Sequence, residues 1–184
     1  MLNPFLQSLF VRQPVICGLQ MLPFSAWHYA ALLLHNSPFV VADTAQHARA
    51  EDLLLAVYIC SLRYPDAHAV DPDQNVLVEV ASVLDCDRDG AVFVDYLSEH
   101  VRVADVWEKQ TSHGHSPARV CTPVMYVSYG MQELGLSRED AWSMPLGELI
   151  GYCLACADRA GVIEIVGDVA EQAIRLATQE QTNG

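Results

Sequence analysis

Apolar positions along this chain recur mostly at intervals of three and four residues, the spacing of one face of a helix. The clearest case lies between Cys121 and Gly161. Val124, Val127, Met131 and Leu134 form one apolar stripe, with Thr122 as the N-terminal cap and Pro123 at the first helical position, where its missing N–H costs nothing. Gly135 supplies a left-handed stop. Ser137, with Asp140 three residues on, opens a short helical turn as a weaker form of the capping box. Pro145 then starts a longer helix. Its stripe is Leu146, Leu149, Ile150, Cys153, Cys156 or Ala157, and Ala160, and Gly161 ends it. Two helices joined by so short a connection are expected to pack as a hairpin.

The rest of the chain extends this pattern. Residues 1–24 are apolar but carry three prolines, which predicts an extended arm or a short strand pair. Ser25 caps a helix through Ala26, Trp27, Tyr29, Leu32 and Leu33, which ends at the turn signal Asn36-Ser37-Pro38. Asp43 or Thr44 caps the next, running through Glu51 and Asp52 into an apolar run from Leu53 to Ser61. Its second half is apolar all round, the signature of a central buried helix. Residues 64–74 read as a polar loop and Val76 to Leu84 as a helix. Phe93, Tyr96, Leu97 and His100 or Val101 give a further stripe, and residues 108–121 a loop. Asp168 caps a last amphipathic helix, and residues 178–184 are expected to fray. The expected fold is mainly α: one compact multi-helix domain over residues 1–184, with the C-terminal helical hairpin and short β elements near the N-terminus.

Composition narrows the function. The chain has 184 residues, of which 52% are apolar and 18% charged, so it is long enough and apolar enough for a real core. The surplus of apolar side chains leaves surface for a partner or a homo-oligomer to cover. Ten Lys and Arg against 23 Asp and Glu give a net charge of −13. Such a chain repels nucleic acid and anionic membrane surfaces alike. The longest clean apolar run, Leu53 to Cys60, is far short of the roughly 20 residues that span a bilayer. The N-terminal stretch has no basic region and is broken by Pro4 and Pro14, so no signal peptide is expected. A cytoplasmic protein with six reduced cysteines follows.

Candidate chemistry is sparse. Asp85-Cys86-Asp87-Arg88-Asp89-Gly90-Ala91-Val92 resembles the start of an EF-hand calcium loop, with acids at alternate places and a glycine for the sharp turn. Asp85, Asp87 and Asp89 are therefore the candidate metal ligands, for a weak calcium site. Against this, Tyr96 occupies the place of the bidentate Glu, and Arg88 brings a positive charge into the loop. The other reading is an acidic turn between two elements. Cys153 and Cys156 have the spacing of a redox or zinc pair but fall inside a helix on its apolar stripe, where burial makes a thiol inert. His113, His115 and Cys121 supply metal-ligand types in a loop without fixing a geometry. His28 and His35, seven apart, share a helix face. No G-x-S-x-G and no glycine-rich phosphate loop occurs, and Gly147-x-x-x-Gly151 permits close helix approach. No cofactor is expected beyond the calcium alternative, and no enzymatic residue set is apparent.

The C-terminal part resembles the tail-assembly-chaperone-like proteins of phage and prophage tail modules. The residues that carry this are Cys121-Thr122-Pro123, the helix from Tyr126 to Gly135, Leu136 to Trp142, Ser143 to Gly147, and the alanine-rich helix to Gly161. Weaker echoes are Ala31 to Phe39 and Glu51 to Arg63, so the likeness covers about two-thirds of the chain. The resemblance implies a non-enzymatic helper that holds apolar helical segments of a tape-measure protein while the tail tube assembles, in the host cytoplasm. Tyr126, Tyr129, Trp142 and Tyr152 are the candidate partner-binding aromatics.

Overall fold

The computed structural model describes residues 12–41, 48–101, 106–108 and 121–165. Seven α-helices lie among them: α1 (Ala26–Leu34), α2 (Ala50–Ser61), α3 (Gln74–Ala81), α4 (Cys86–His100), α5 (Thr122–Glu133), α6 (Arg138–Ser143) and α7 (Leu146–Arg159). A 3-10 turn covers Ala67–Ala69. Strands β1 (Val15–Ile16) and β2 (Leu19–Gln20) pair antiparallel near the N-terminus, and β3 (Val106–Glu108) pairs antiparallel with β4 (Ile163–Ile165). The fold is thus mainly α with a short antiparallel pair near the N-terminus. Residues 1–11 of the expected arm, the caps Asp43 and Thr44, the loop with His113 and His115, the helix expected from Asp168 and the tail 178–184 lie outside the described residues.

Two helical layers meet along α1 and α2. On one side α2 carries α3, α4 and β2; on the other α1 carries α5 and α6, and α7 packs on α5. As its all-round apolar sequence predicts, α2 is central: Leu53, Ala56, Val57, Ile59 and Cys60 are all buried. The helix starts at Ala50, where the Arg49 N–H donates to the Asp52 carboxylate at 2.9 Å. The strand pair turns on Cys17 and Gly18, with φ of 51° and 80°, the two left-handed positions that a two-residue hairpin of native twist requires.

Between the hairpin and α1 runs an irregular strap, Met21 to Ser25, buried except at the half-buried Leu22 and the exposed Pro23. Met21, Phe24 and Ser25 are each 1% exposed or less. Irregular buried backbone must find partners for its polar groups, and here distant elements supply them. The Leu22 N–H donates to the Cys60 carbonyl of α2 at 3.0 Å, and the Leu22 carbonyl accepts from the Tyr96 hydroxyl of α4 at 2.6 Å. The Phe24 carbonyl accepts from the Leu146 N–H at the start of α7, at 2.7 Å. The Ser25 N–H donates to His28 Nδ1 at 3.1 Å. Pro23 has no N–H to satisfy.

The C-terminal hairpin follows its sequence signals closely. Gly135 and Gly161 take positive φ, 66° and 75°, as the expected stops. Ser137 caps α6 by accepting from the Asp140 N–H at 3.1 Å. Three expectations need correction. Helix α5 starts one residue early, at Thr122, with Cys121 as its cap residue and no side-chain capping bond. Its buried face is Pro123, Val127 and Gly130, whereas Val124 and Met131 are 37% and 42% exposed. The face turns toward Gly130 because α5 lies there directly on α7: a Cβ at Gly130 would sit 2.9 Å from Leu149 Cδ1 and 3.3 Å from Leu136 Cδ1. Finally, β3 and β4 pair in stretches to which the sequence assigned no element, apart from Glu108 at the start of the expected loop; strands of three residues are too short to show an alternation.

These contacts predict opposite outcomes for two glycines. At Gly130, alanine gains about 1 kcal/mol of helix propensity but overpacks the buried Leu149 by about 1–3 kcal/mol, so Gly130→Ala destabilises. At Gly90 of α4 the nearest atom to an added Cβ is Leu53 Cδ2 at an ordinary 3.6 Å, so Gly90→Ala stabilises by about 0.5–1 kcal/mol. Urea denaturation midpoints of the two variants should move in opposite directions.

Candidate binding groove

A mainly apolar cavity of about 480 Å³ opens where both layers meet. Phe24 of the strap and Tyr29 of α1 form its floor, and Leu97 and Val101 at the end of α4 form one wall. Thr122, Pro123 and Tyr126 from the first turns of α5 face Leu146 and Ile150 from the first turns of α7. The segment Pro38 to Val41 closes one side.

Local sequence explains each wall. After α1, Asn36 takes a left-handed φ of 52°, and the Ser37 N–H donates to the Leu32 carbonyl at 2.9 Å. That turn sends the chain back so that Phe39 meets the ring of Phe93 edge-on, with centroids 5.1 Å apart. The Tyr29 hydroxyl donates to the Val40 carbonyl at 3.4 Å and holds the returning segment. Val41 and Val101 remain 41% and 39% exposed at the rim.

Its electrostatics are those of an apolar site. Among the described residues, no Asp, Glu, His, Lys, Arg or Cys side chain lines the cavity. Burial, and after it the nearby Cys153 and Tyr29, raises the Tyr126 hydroxyl above its usual range, so the phenol stays neutral. What such a surface offers chemically is desolvation of apolar groups and a few hydroxyl hydrogen bonds.

Of the four aromatics expected to meet a partner, Tyr126 alone lines this groove. Tyr129 and Trp142 are half-buried and pack against the core. Tyr152 is 45% exposed on α7, and its hydroxyl donates to the Glu148 carboxylate at 3.1 Å. The groove residues missed in the sequence have one local signal: a turn, Asn36-Ser37-Pro38, followed at once by the apolar run Phe39-Val40-Val41.

The acids at 85, 87 and 89 form the start of a helix, where an acidic turn or the start of a calcium loop was expected. Asp85 is the cap of α4, accepting from the Arg88 N–H at 3.1 Å, and Asp87 and Asp89 lie in its first turn, where the helix dipole favours negative charge. Asp85 and Asp87 are exposed, whereas Asp89 is buried. Its carboxylate accepts from Arg88 Nε at 2.8 Å and Nη2 at 3.0 Å, from the Asp85 N–H at 2.9 Å and from the Cys17 thiol at 3.2 Å. The Arg88 bonds are the main cause that holds Asp89 down at about 2. Burial first, and then Asp89, push the Cys17 thiol up to about 11. This cluster ties the N-terminal hairpin to the start of α4. No group of three or more His, Cys, Asp or Glu is placed to hold a metal among the described residues.

The remaining candidates have structural partners. Cys153 is buried on α7, and burial raises its thiol to about 11; Cys156 is half-buried, with Arg159 Nη2 at 3.8 Å from its sulfur. His28 and His35 do share a face, and each reaches a carbonyl beyond α2: Nε2 of His28 lies 3.0 Å from Leu62 O, and Nε2 of His35 lies 2.7 Å from Ala69 O. No helix among the described residues is long and apolar enough to cross a membrane.

No family model matches the chain, and no curated protein or solved structure matches it. The groove must therefore be judged by its own chemistry.

The Asp89 cluster yields a test. Asp89→Asn keeps an acceptor but removes the charge and presents an amide to other donors. It should cost about 1–2 kcal/mol at pH 7, read from urea midpoints. The carboxylate's folded value lies below its ordinary 3.8, so its contribution is complete above pH 3.8 and disappears as pH falls through about 2. The gap between wild type and variant should close over that window.

Proposed function

We propose that this protein is a non-enzymatic binding protein that shields an apolar helical segment of another polypeptide, in the manner of a tail-assembly chaperone acting on a tape-measure protein. The observation that carries the proposal is the open, uncharged cavity between α1, α4, α5 and α7. At about 480 Å³ it falls within the range of about 300–1,000 Å³ typical of ligand-binding clefts. Amphipathic helices bind such grooves through anchors at i, i+3, i+4 and i+7, and a volume of this size takes two or three such side chains. Charge supports the choice of partner. At a net −13 the chain attracts a helix whose apolar stripe is flanked by Lys or Arg, and repels further copies of itself.

A further support is where the resemblance to tail-assembly-chaperone-like proteins falls. The residues from Cys121 to Gly161 that carry it are α5, α6 and α7, and the first turns of α5 and α7 build one wall of the groove. The weaker echo from Ala31 to Phe39 covers the end of α1 and the returning segment opposite. No observation in the described structure favours the calcium alternative.

The test is co-expression with a phage tape-measure protein from a tail-gene module. Soluble yield of the partner should rise, and an unchanged yield would count against the proposal. Val101→Lys sets a cation on the rim against a basic-flanked helix. It should weaken binding about tenfold or more in a titration with the captured segment, and because Val101 is exposed it should change stability by no more than about 0.5 kcal/mol.

A further inference from the structure

The N-terminal cap of α1 departs from the usual capping box. The third helical position, normally Glu or Gln, is His28. Its Nδ1 lies 3.1 Å from the Ser25 N–H and 3.0 Å from Ser25 Oγ. A backbone N–H can only donate, so Nδ1 must be the bare acceptor nitrogen, and the proton sits on Nε2 facing the Leu62 carbonyl at 3.0 Å. One neutral tautomer satisfies every partner. A second proton on Nδ1 would set it against the Ser25 N–H, with Ser25 Oγ as the acceptor left to it, in a site that is 3% exposed.

The cap also stands at a junction. Ser25 forms an isolated antiparallel bridge with Pro145, and the adjoining Phe24 carbonyl receives the Leu146 N–H that begins α7. Phe24 and Leu146 are both groove residues. We propose that His28 is an acid-sensitive latch: its protonation releases the cap of α1 and, with it, the bridge that fixes the start of α7 beside the groove. The latch is a property of the fold and holds whatever the groove binds.

Among the described residues, the surroundings supply no counter-charge. From α4 the group that bears on His28 is His100, buried with its Nδ1 on the Tyr96 carbonyl at 2.7 Å and its Nε2 without a partner among the described residues. From the end of α2 it meets the Leu62 carbonyl, and Tyr64 beyond packs edge-on against Trp27. On α6, Arg138, Glu139 and Asp140 are exposed, and Asp140 binds Ser137. On α5, Tyr126 and Tyr129 have their hydroxyls raised and stay neutral. Burial is the main cause that lowers His28 from 6.5 to about 4, and the His100 charge adds to it. The neutral form is thus the folded form. Its stabilisation is complete above pH 6.5 and is lost as pH falls toward 4.

Three measurements on the full chain test this. Gln accepts the same Ser25 bond without titrating. Between pH 6 and 4.5 the folding constant of wild type should fall roughly tenfold more per pH unit than that of His28→Gln. His100 contributes equally to both, and equal slopes would overturn the latch. If the variant does not fold, NMR titration of the wild-type His28 ring decides: a midpoint well below 6 is expected, and one near 6.5 overturns the proposal. Amide exchange then separates the latch from general acid loss. From pH 7 to 5, after correction for intrinsic rates, protection at Ser25 and Leu146 should drop roughly tenfold more than at α3. An equal response at the two sites would overturn it.

Discussion

The structure depends on a short stretch of buried backbone that belongs to no helix or strand. Met21, Phe24 and Ser25 lie in the interior, where an unpaired N–H or C=O costs about 1–3 kcal/mol. Three of the strap's hydrogen bonds reach different parts of the chain: Cys60 on α2, Tyr96 on α4, Leu146 at the start of α7. The strap therefore ties α2, α4 and α7 to one another. It also explains why the cap of α1 is so confined, since Ser25 is at once the end of the strap, the cap residue and the partner of Pro145.

Electrostatics in this molecule is mostly local, despite the charge of −13. Acids are placed where helices begin: Glu51 and Asp52 on α2, Asp87 and Asp89 on α4, Glu139 and Asp140 on α6, Glu148 on α7. There they meet free N–H groups and the positive end of the dipole. The run from 85 to 89 shows how close two readings of the same residues lie. Alternate carboxylates before a glycine suit a cation, yet they suit a helix start equally well, and Arg88 tips the balance by taking Asp89 for itself.

The groove arises from a mismatch between the two layers. Helices α5 and α7 approach closely at Gly130 and Leu149, and the small Gly147 and Gly151 are buried on α7. At their N-terminal ends α4 and the segment after α1 face them with aromatic and branched side chains, and the gap stays open. The wall is made from six separate pieces of chain, each contributing one to four residues. That construction makes the groove sensitive to whatever moves the start of α7, which is where the histidine cap acts.

Much of the fold is written locally. Ser25, Ser137, Gly135 and Gly161 mark helix ends in the sequence and do so in the structure, because capping needs only residues within one turn. The apolar run from Leu53 to Cys60 announces a buried helix for the same reason: no partial face can hide it. The site was far less legible. Tyr126 was recognisable as a candidate, but Phe24, Phe39, Leu97 and Ile150 become one surface only when four helices and the strap are brought together. The tertiary structure also decided which face of α5 is buried, since a glycine carries no hydropathy signal and matters only where another helix needs its space. It decided the role of Asp89 too, through a Cys17 72 residues away. The sequence by itself determined where helices start, stop and turn greasy. Only packing determined which greasy faces were left over, because that depends on contacts between residues far apart in the chain.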